Sequence, residues 1–203
     1  WAPNGIFRDV TLMAVPEIHL KDLTTHTKTT GEVSVDTEVA NADKQTSVTH
    51  EIIDAQGRAV ATLNRPDCRK TPADGGTQAQ LKVDDPHLWT AETPYLYILR
   101  TRLTQKGKTL QTFTQKIGIK ELTIEGNVLK LNGQAIKLRG VNAHSTDPRT
   151  VKVISDDLTL KDMRMMKEAS VNYMRLSHYP REPRFYELAD SLGFYLVNRS
   201  EEH

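Results

Sequence analysis

Arg175, His178 and Tyr179 fall within five residues of one another, at the end of a short apolar segment carried by Met174 and Leu176. A guanidinium, an imidazole and a phenol can hold a carboxylate, donate to a hydroxyl, or move a proton. The stretch downstream of them is patterned enough to position them. Phe185, Leu188, Ala189 and Leu192 recur at i, i+3, i+4 and i+7, which predicts a helix over 183–192. Gly193 is placed to stop it, as a C′ glycine does. Phe194-Tyr-Leu-Val197 is then a β-rich run. Strand, polar loop, helix and strand in that order form a βαβ unit. Polar residues at the carboxyl end of its strand are how an α/β barrel builds a site.

The flanking elements extend this pattern upstream. Ile136-Lys-Leu-Arg-Gly-Val-Asn142 reads as a strand. Ser155 is a candidate N-cap, with Asp156 and Asp157 in the first turn where negative charge suits the helix dipole. Leu158, Met165, Met166 and Ala169 would give helix 156–169 its buried face, and the cluster Met163, Met165, Met166 reads as packing. The order is strand 136–142, helix 156–169, strand 172–177, helix 183–192, strand 194–198. Such alternation implies parallel strands with right-handed crossovers.

Residues 1 to about 120 have a different texture. Val33, Val35, Thr37 and Val39 alternate with polar residues, and Val48, His50 and Ile52 continue the period of two. Ala55-Gln-Gly-Arg58 and Gln105-Lys-Gly-Lys108 read as turns between strand runs. Short strands at this spacing argue for an antiparallel sandwich. Pro66 to Gly76 reads as an exposed loop, and Asn132-Gly133 between apolar runs is a hairpin signal.

Composition narrows the function classes. The 203 residues are 37% hydrophobic with a formal net charge of +1. The 27 basic residues are spread along the chain, so no phosphate-tracking stripe points to nucleic acid. No apolar stretch approaches a membrane-spanning length. The single cysteine, Cys68, excludes an internal disulfide framework and leaves the compartment open. The opening Trp1-Ala-Pro-Asn-Gly5 reads as the start of an excised or processed piece.

Four segments in order carry a resemblance. They are Gly5-Ile-Phe-Arg-Asp-Val10, then Asp85-Pro-His-Leu-Trp-Thr-Ala-Glu-Thr-Pro-Tyr-Leu-Tyr97, then Leu131-Asn-Gly-Gln134 through Leu138-Arg-Gly-Val-Asn-Ala-His144, and lastly Asn172 to Tyr186. With these the chain resembles glycoside hydrolase family 2, and within it the β-galactosidases. The resemblance implies an immunoglobulin-like antiparallel β-sandwich over 1–120. It implies an incomplete (β/α)8 TIM barrel over 121–203, with its first three strands and two helices. A closed barrel needs eight strands and typically about 250 residues, so a fragment of a larger enzyme is expected.

The family is also the source of the expected chemistry. Retaining glycosidases use two carboxyl groups about 5–5.5 Å apart. In this family both are glutamates on later barrel strands, which would lie beyond His203, so no catalytic residue is expected in this chain and the fragment alone is expected to be inactive. Supporting groups are expected to remain. Arg175 matches the arginine that supports a catalytic carboxylate, and His144 and His178 match histidines that donate to sugar hydroxyls. The bland alternatives are a surface salt bridge for Arg175 and a packed loop position for His178.

Glu201 and His203 match a Glu-x-His that helps bind Mg²⁺ in the parent enzyme, given a two-residue deletion after Val197. A solvated terminus or the remnant of a purification tag is the alternative. The chain departs from the family at Asn198-Arg199, where an acidic residue is usual, and at Asn142-Ala-His-Ser145, where many β-galactosidases read Asn-Arg-His-Glu. Both departures bear on the metal site, and the second also on galactose specificity. Trp89 reads as a core or junction residue, and nothing beside Cys68 suggests a nucleophile.

The expected function is therefore a fragment of a retaining enzyme that cleaves terminal β-linked sugars from an oligosaccharide or glycan. The alternatives are a non-catalytic sandwich acting as spacer or interaction module, or the same family acting on a β-glucuronide or β-mannoside. Strand 194–198 would leave an uncovered sheet edge, which predicts self-association or partial disorder of 143–203.

Overall fold

The computed structural model describes residue 6 and residues 8–65, 76–177 and 179–198. His178, Glu201, His203, Trp1, Cys68 and the body of the 66–76 loop lie outside the described residues. Gly76 opens a strand instead of closing that loop. Two compact units emerge, one of residues 13–89 with 95–134, the other of residues 1–12, 90–94 and 135–203. Among the described residues no helix is long and apolar enough to cross a membrane.

The first unit is an immunoglobulin-like sandwich. Strands β1 (His19–Thr27), β2 (Glu32–Ala40) and β5 (Gly76–Lys82) form one sheet in the order β1-β2-β5. The facing sheet has β4 (Ala59–Arg65), β3 (Thr46–Ile53), β6 (Tyr97–Gln105) and β7 (Lys108–Ile117) in the order β4-β3-β6-β7. Every pairing in both sheets is antiparallel. The alternating residues of the sequence are the ones that turn inward: Val33, Val35, Thr37 and Val39 from β2, and Val48, His50 and Ile52 from β3, are all buried. Val33, Val35, Ala79 and Leu81 of one sheet meet Ile52, Tyr97, Leu99 and Ile117 of the other in one core cluster. Burying such side chains contributes roughly 1.5–3 kcal/mol each before entropy is set against it.

Trp89 is a core residue, 2% exposed. Its N–H donates to Ile119 O at 2.9 Å, and its carbonyl accepts from Asn132 Nδ2 at 3.1 Å. The predicted turn 55–58 forms around Asp54, whose Oδ1 accepts from Gln56 N and Arg58 N, both at 2.9 Å. Beyond the sandwich, β8 (Leu122–Glu125) and β9 (Val128–Leu131) pair antiparallel, and Asn132-Gly133 turns the chain into β10 (Gln134–Ala135). Asn132 and Gly133 have φ of 51° and 79°. Two successive positive φ values are what a type I′ hairpin turn demands, and Asn-Gly is the pair that supplies them most readily.

His50 sits in the middle of the sandwich with no exposed surface. Its Nδ1 lies 3.0 Å from Thr101 Oγ1 and its Nε2 3.4 Å from Thr37 Oγ1. Hydroxyls can serve either nitrogen of a neutral ring, but among the described residues no opposite charge is paired with it. Burial pushes the imidazole pKa down from 6.5 to about 4. Between those values the unfolded chain binds a proton that the folded one excludes. Stability from this group is therefore complete above pH 6.5 and is lost as the pH falls to about 4. At 1.36 kcal/mol per pH unit the loss is about 3 kcal/mol. The urea midpoint of the sandwich transition is expected to fall across that window, and His50→Leu to flatten the fall. An unchanged pH profile in the variant would contradict the assignment.

The second unit carries the alternating half. Strands β11 (Gly140–Ala143), β12 (Tyr173–Leu176) and β13 (Tyr195–Val197) form a parallel sheet in sequence order. Helix α1 (Asp156–Glu168) joins the first two and α2 (Pro183–Leu192) the last two. Ser155 is the N-cap of α1, its side chain accepting from Leu158 N. Helix α2 buries Phe185, Leu188 and Ala189, and Gly193 ends it in the left-handed conformation at φ 77°. The core of this unit gathers Met163, Met174, Leu176, Phe185, Leu188, Ala189 and Phe194.

Two expectations are corrected. The first strand of this half begins at Gly140, not at 136. The reason is Asn172, which is 7% exposed and takes over the backbone before the strand. Its Oδ1 accepts from Arg139 N at 2.8 Å and its Nδ2 donates to Lys137 O at 3.0 Å. Pairing with β12 starts only at Gly140↔Tyr173. The second concerns α1. Met163 is its buried residue, with Leu160 and Met166 packed partly against the core, whereas Met165 is 57% exposed and Ala169 is also exposed. Positions 163 and 165 lie about 200° apart around a helix, so only one of them can face the sheet.

Candidate functional site

Because β11, β12 and β13 run parallel, Ala143, Leu176 and Val197 end on the same edge of the sheet. The loops that continue from each strand leave that edge together. Side chains alternate along β12: Met174 and Leu176 are buried in the helix-covered core, so Tyr173 and Arg175 point to the opposite face. The register places Asn142, Arg175 and Val197 in one row across the three strands. Arg175 is thereby fixed on the face away from the helices, one residue short of the carboxyl edge.

Its contacts are specific. Arg175 Nη1 donates to Asn142 Oδ1 and to Ser177 Oγ, each at 3.2 Å. Ser177 is 1% exposed, and its N–H donates to Ala143 O at 3.1 Å. The partners described for Arg175 are neutral, so the surface-salt-bridge reading of this residue finds no support among the described residues. A guanidinium held from one side by neutral acceptors keeps its charge and remaining donors for a further acceptor. Its planar fork suits a carboxylate.

His144 is exposed, one residue past β11. The adjacent Ser145 is 4% exposed, and its N–H donates to Tyr179 Oη at 3.0 Å. The same oxygen accepts from Lys152 Nζ at 2.9 Å, and the ammonium stands 4.2 Å from the ring centroid. Burial pushes the Tyr179 phenol up, but the Lys152 ammonium and the Ser145 N–H outweigh it, and the group lies below the ordinary phenol range. Arg181 is 8% exposed, with its guanidinium 5.0 Å from the Phe185 ring centroid and 6.0 Å from that of Tyr179.

A second phenol links the next pair of strand ends. Tyr186 Oη donates to Asn198 Oδ1 at 3.0 Å and accepts from Arg181 N at 3.0 Å. The sheet edge is thus cross-tied at two points. Lys152 and Tyr186 were not singled out by the sequence. Lys152 is 27 residues from its partner and Tyr186 is 12 from Asn198, and no periodicity announces such contacts.

Of the residues expected at the site, the structure brings His144 and Arg175 to the same edge. His178, Glu201 and His203 lie outside the described residues. Among the described residues no three His, Cys, Asp or Glu side chains gather as the ligands of an ion would, and no step is assigned to a metal.

Known proteins share this fold. Residues 18–120 match the model of "Glycosyl hydrolases family 2", and residues 122–202 that of "Glycosyl hydrolases family 2, TIM barrel domain". The β-galactosidase of Halalkalibacterium halodurans is 35% identical over 207 residues, covering 98% of this chain and 20% of that protein. That of Leuconostoc mesenteroides is 36% identical over 212 residues, again covering 98% of this chain and 20% of its own length. The chain spans about a fifth of the length of these curated relatives. Among solved structures, a glycosyl hydrolase family 2 member from Bacteroides cellulosilyticus superposes with a TM-score of 0.81 at 25% identity, over 92% of this chain and 27% of that one. A Lactobacillus rhamnosus β-glucuronidase gives 0.78 at 30% identity, over 91% and 30%. Two family models meeting end to end, sandwich first and parallel strands second, agree with the order of folds in the structure: the chain belongs to glycosyl hydrolase family 2.

Proposed function

We propose that this chain is the immunoglobulin-like domain (1–120) and the opening of the catalytic barrel (121–203) of a retaining β-glycosidase of the β-galactosidase type. The observation that carries the reading is Arg175, a guanidinium fixed at the carboxyl edge of a parallel sheet with neutral partners. In a glycosidase of this family it holds the nucleophilic carboxylate ionised, because a fixed opposite charge favours the charged form. His144 and His178 donate to sugar hydroxyls. The acid/base and nucleophile glutamates lie on barrel strands outside this chain, so the chain alone does not hydrolyse glycosides. Glu201 and His203 would be the residues of this chain that hold a Mg²⁺ ion in the full-length enzyme, a carboxylate and an imidazole completed by waters.

The curated relatives favour a galactoside as substrate. The β-glucuronidases among the structural neighbours support a glucuronide as second reading, and the Asn142-Ala-His-Ser145 sequence weakens the galactoside. A panel of nitrophenyl β-glycosides given to the full-length enzyme separates them. Preferential cleavage of the galactoside, with the first-released sugar in the β configuration by NMR, is the expected result. Preference for the glucuronide replaces the sugar, and an inverted product overturns the retaining mechanism.

The incomplete barrel has a physical consequence for the chain on its own. β11 and β13 are the edges of the parallel sheet, Val141 and Val197 are 39% and 45% exposed, and Met165 is exposed on α1. Unpaired edges and apolar surface recruit other chains. The isolated chain is expected to sediment as dimers or larger species. A compact monomer with slow amide exchange through residues 143–198 would contradict this.

A further inference from the structure

The loop after β11 closes on itself before it reaches α1. Asp147 Oδ1 accepts from Arg149 N at 2.7 Å and Thr150 N at 2.9 Å. Asp147 and Val151 exchange both backbone hydrogen bonds, each at 2.9 Å. Val151 is held at φ 61°, which a β-branched residue adopts only when its surroundings impose it. A loop with this much internal bonding moves as a body, so its attachment decides where its ends lie. Among the described residues one oxygen ties both ends to the neighbouring loop: Tyr179 Oη, from the loop after β12, takes Ser145 N–H at one end and Lys152 Nζ at the other. Ser145 is next to His144 in the chain, and Tyr179 is next to His178.

We propose that Tyr179 is a positioning residue whose hydroxyl pins the loop after β11 to the loop after β12, and so sets where His144 meets the sugar. The proposal rests on the reading of His144 as a sugar contact. The ring alone keeps only the contact with the Lys152 ammonium at 4.2 Å; the Ser145 N–H bond and the Lys152 hydrogen bond both end on the oxygen. Displacing a substrate-positioning group by about 1 Å can cost about a hundredfold in rate.

The test uses the full-length enzyme, with kcat and KM measured per folded molecule and thermal midpoints measured alongside. Tyr179→Phe, which keeps the ring, is expected to lower kcat/KM by about tenfold or more while the midpoint moves little. Lys152→Met should show the same kind of loss, Lys152→Arg should recover most of it, and the double variant Tyr179→Phe/Lys152→Met should be no worse than Tyr179→Phe alone. Additive losses, or single variants with wild-type kcat/KM, overturn the proposal. His144→Ala separates the two layers. If it leaves kcat/KM unchanged, the sugar-contact reading fails and the proposal with it. If it lowers kcat/KM while Tyr179→Phe does not, only the tether is wrong.

Discussion

Replacing Arg175 by methionine in the full-length enzyme is expected to lower kcat by about a hundredfold while the protein still folds. The side chain stands on the face of β12 away from the helix-packed core, so its loss opens no cavity among Met174, Leu176 and Phe185. Asn142 and Ser177 each lose one donor, but Asn142 is exposed and recovers it from water. On the proposed reading, what is lost is a fixed positive charge at the strand end where the nucleophile has to be ionised. Without it the carboxylate's pKa rises and its attack weakens. Arg175→Lys is expected to recover only part of the rate, because a point charge does not reproduce a planar fork of donors. Steady-state kinetics with thermal unfolding in parallel checks this. A lowered midpoint with unchanged kcat would make Arg175 a structural residue.

A large loss of stability is expected at Gly193. Two separate costs converge there. Its φ of 77° lies in the left-handed region, which costs an L-residue roughly 1–2 kcal/mol. A Cβ would also meet the Ala91 carbonyl oxygen at 2.2 Å, and that oxygen cannot swing aside as a side chain would. The Lys167 ammonium donates to Ala91 O at 2.9 Å and to Gly193 O at 3.0 Å, so pushing the two carbonyls apart also breaks its bridge. Gly193→Ala is expected to destabilise the second unit by about 4 kcal/mol or more. Gly133→Ala is the control: its φ is 79°, but nothing lies within 4 Å of the added Cβ, so only the backbone cost of about 1 kcal/mol remains. Urea titration of both variants separates the steric part. Equal losses would mean that Ala91 gives way.

Much of this fold was legible in the residues because the decisive signals are local. The inward set of β2 and β3 comes from a period of two, and α2 from its apolar spacing and the glycine that stops it. Asn132-Gly133 turns the chain where its type demands. The start of β11 was not legible, because Ile136 to Arg139 carries a strand-like alternation while the side chain that claims its backbone, Asn172, lies more than thirty residues on. The buried face of α1 was ambiguous for another reason: both of its stripes are apolar, and only the sheet beneath chooses Met163 over Met165. At the site, residue type pointed to Arg175, His178 and Tyr179, and the family resemblance added His144. The partners of the two phenols that cross-tie the strand ends, Ser145 and Lys152 for Tyr179 and Asn198 for Tyr186, lie on chain paths that no pattern encodes.

The most direct test of the central claim is hydrolysis of nitrophenyl β-galactoside by the full-length enzyme and by the 203-residue chain, side by side at equal molar concentration. Turnover by the full-length enzyme and none by the chain is the predicted result, since the catalytic glutamates are assigned to barrel strands outside it. Turnover by the purified chain would contradict the account and would move the search for the carboxyl pair to residues within it, Glu201 among them.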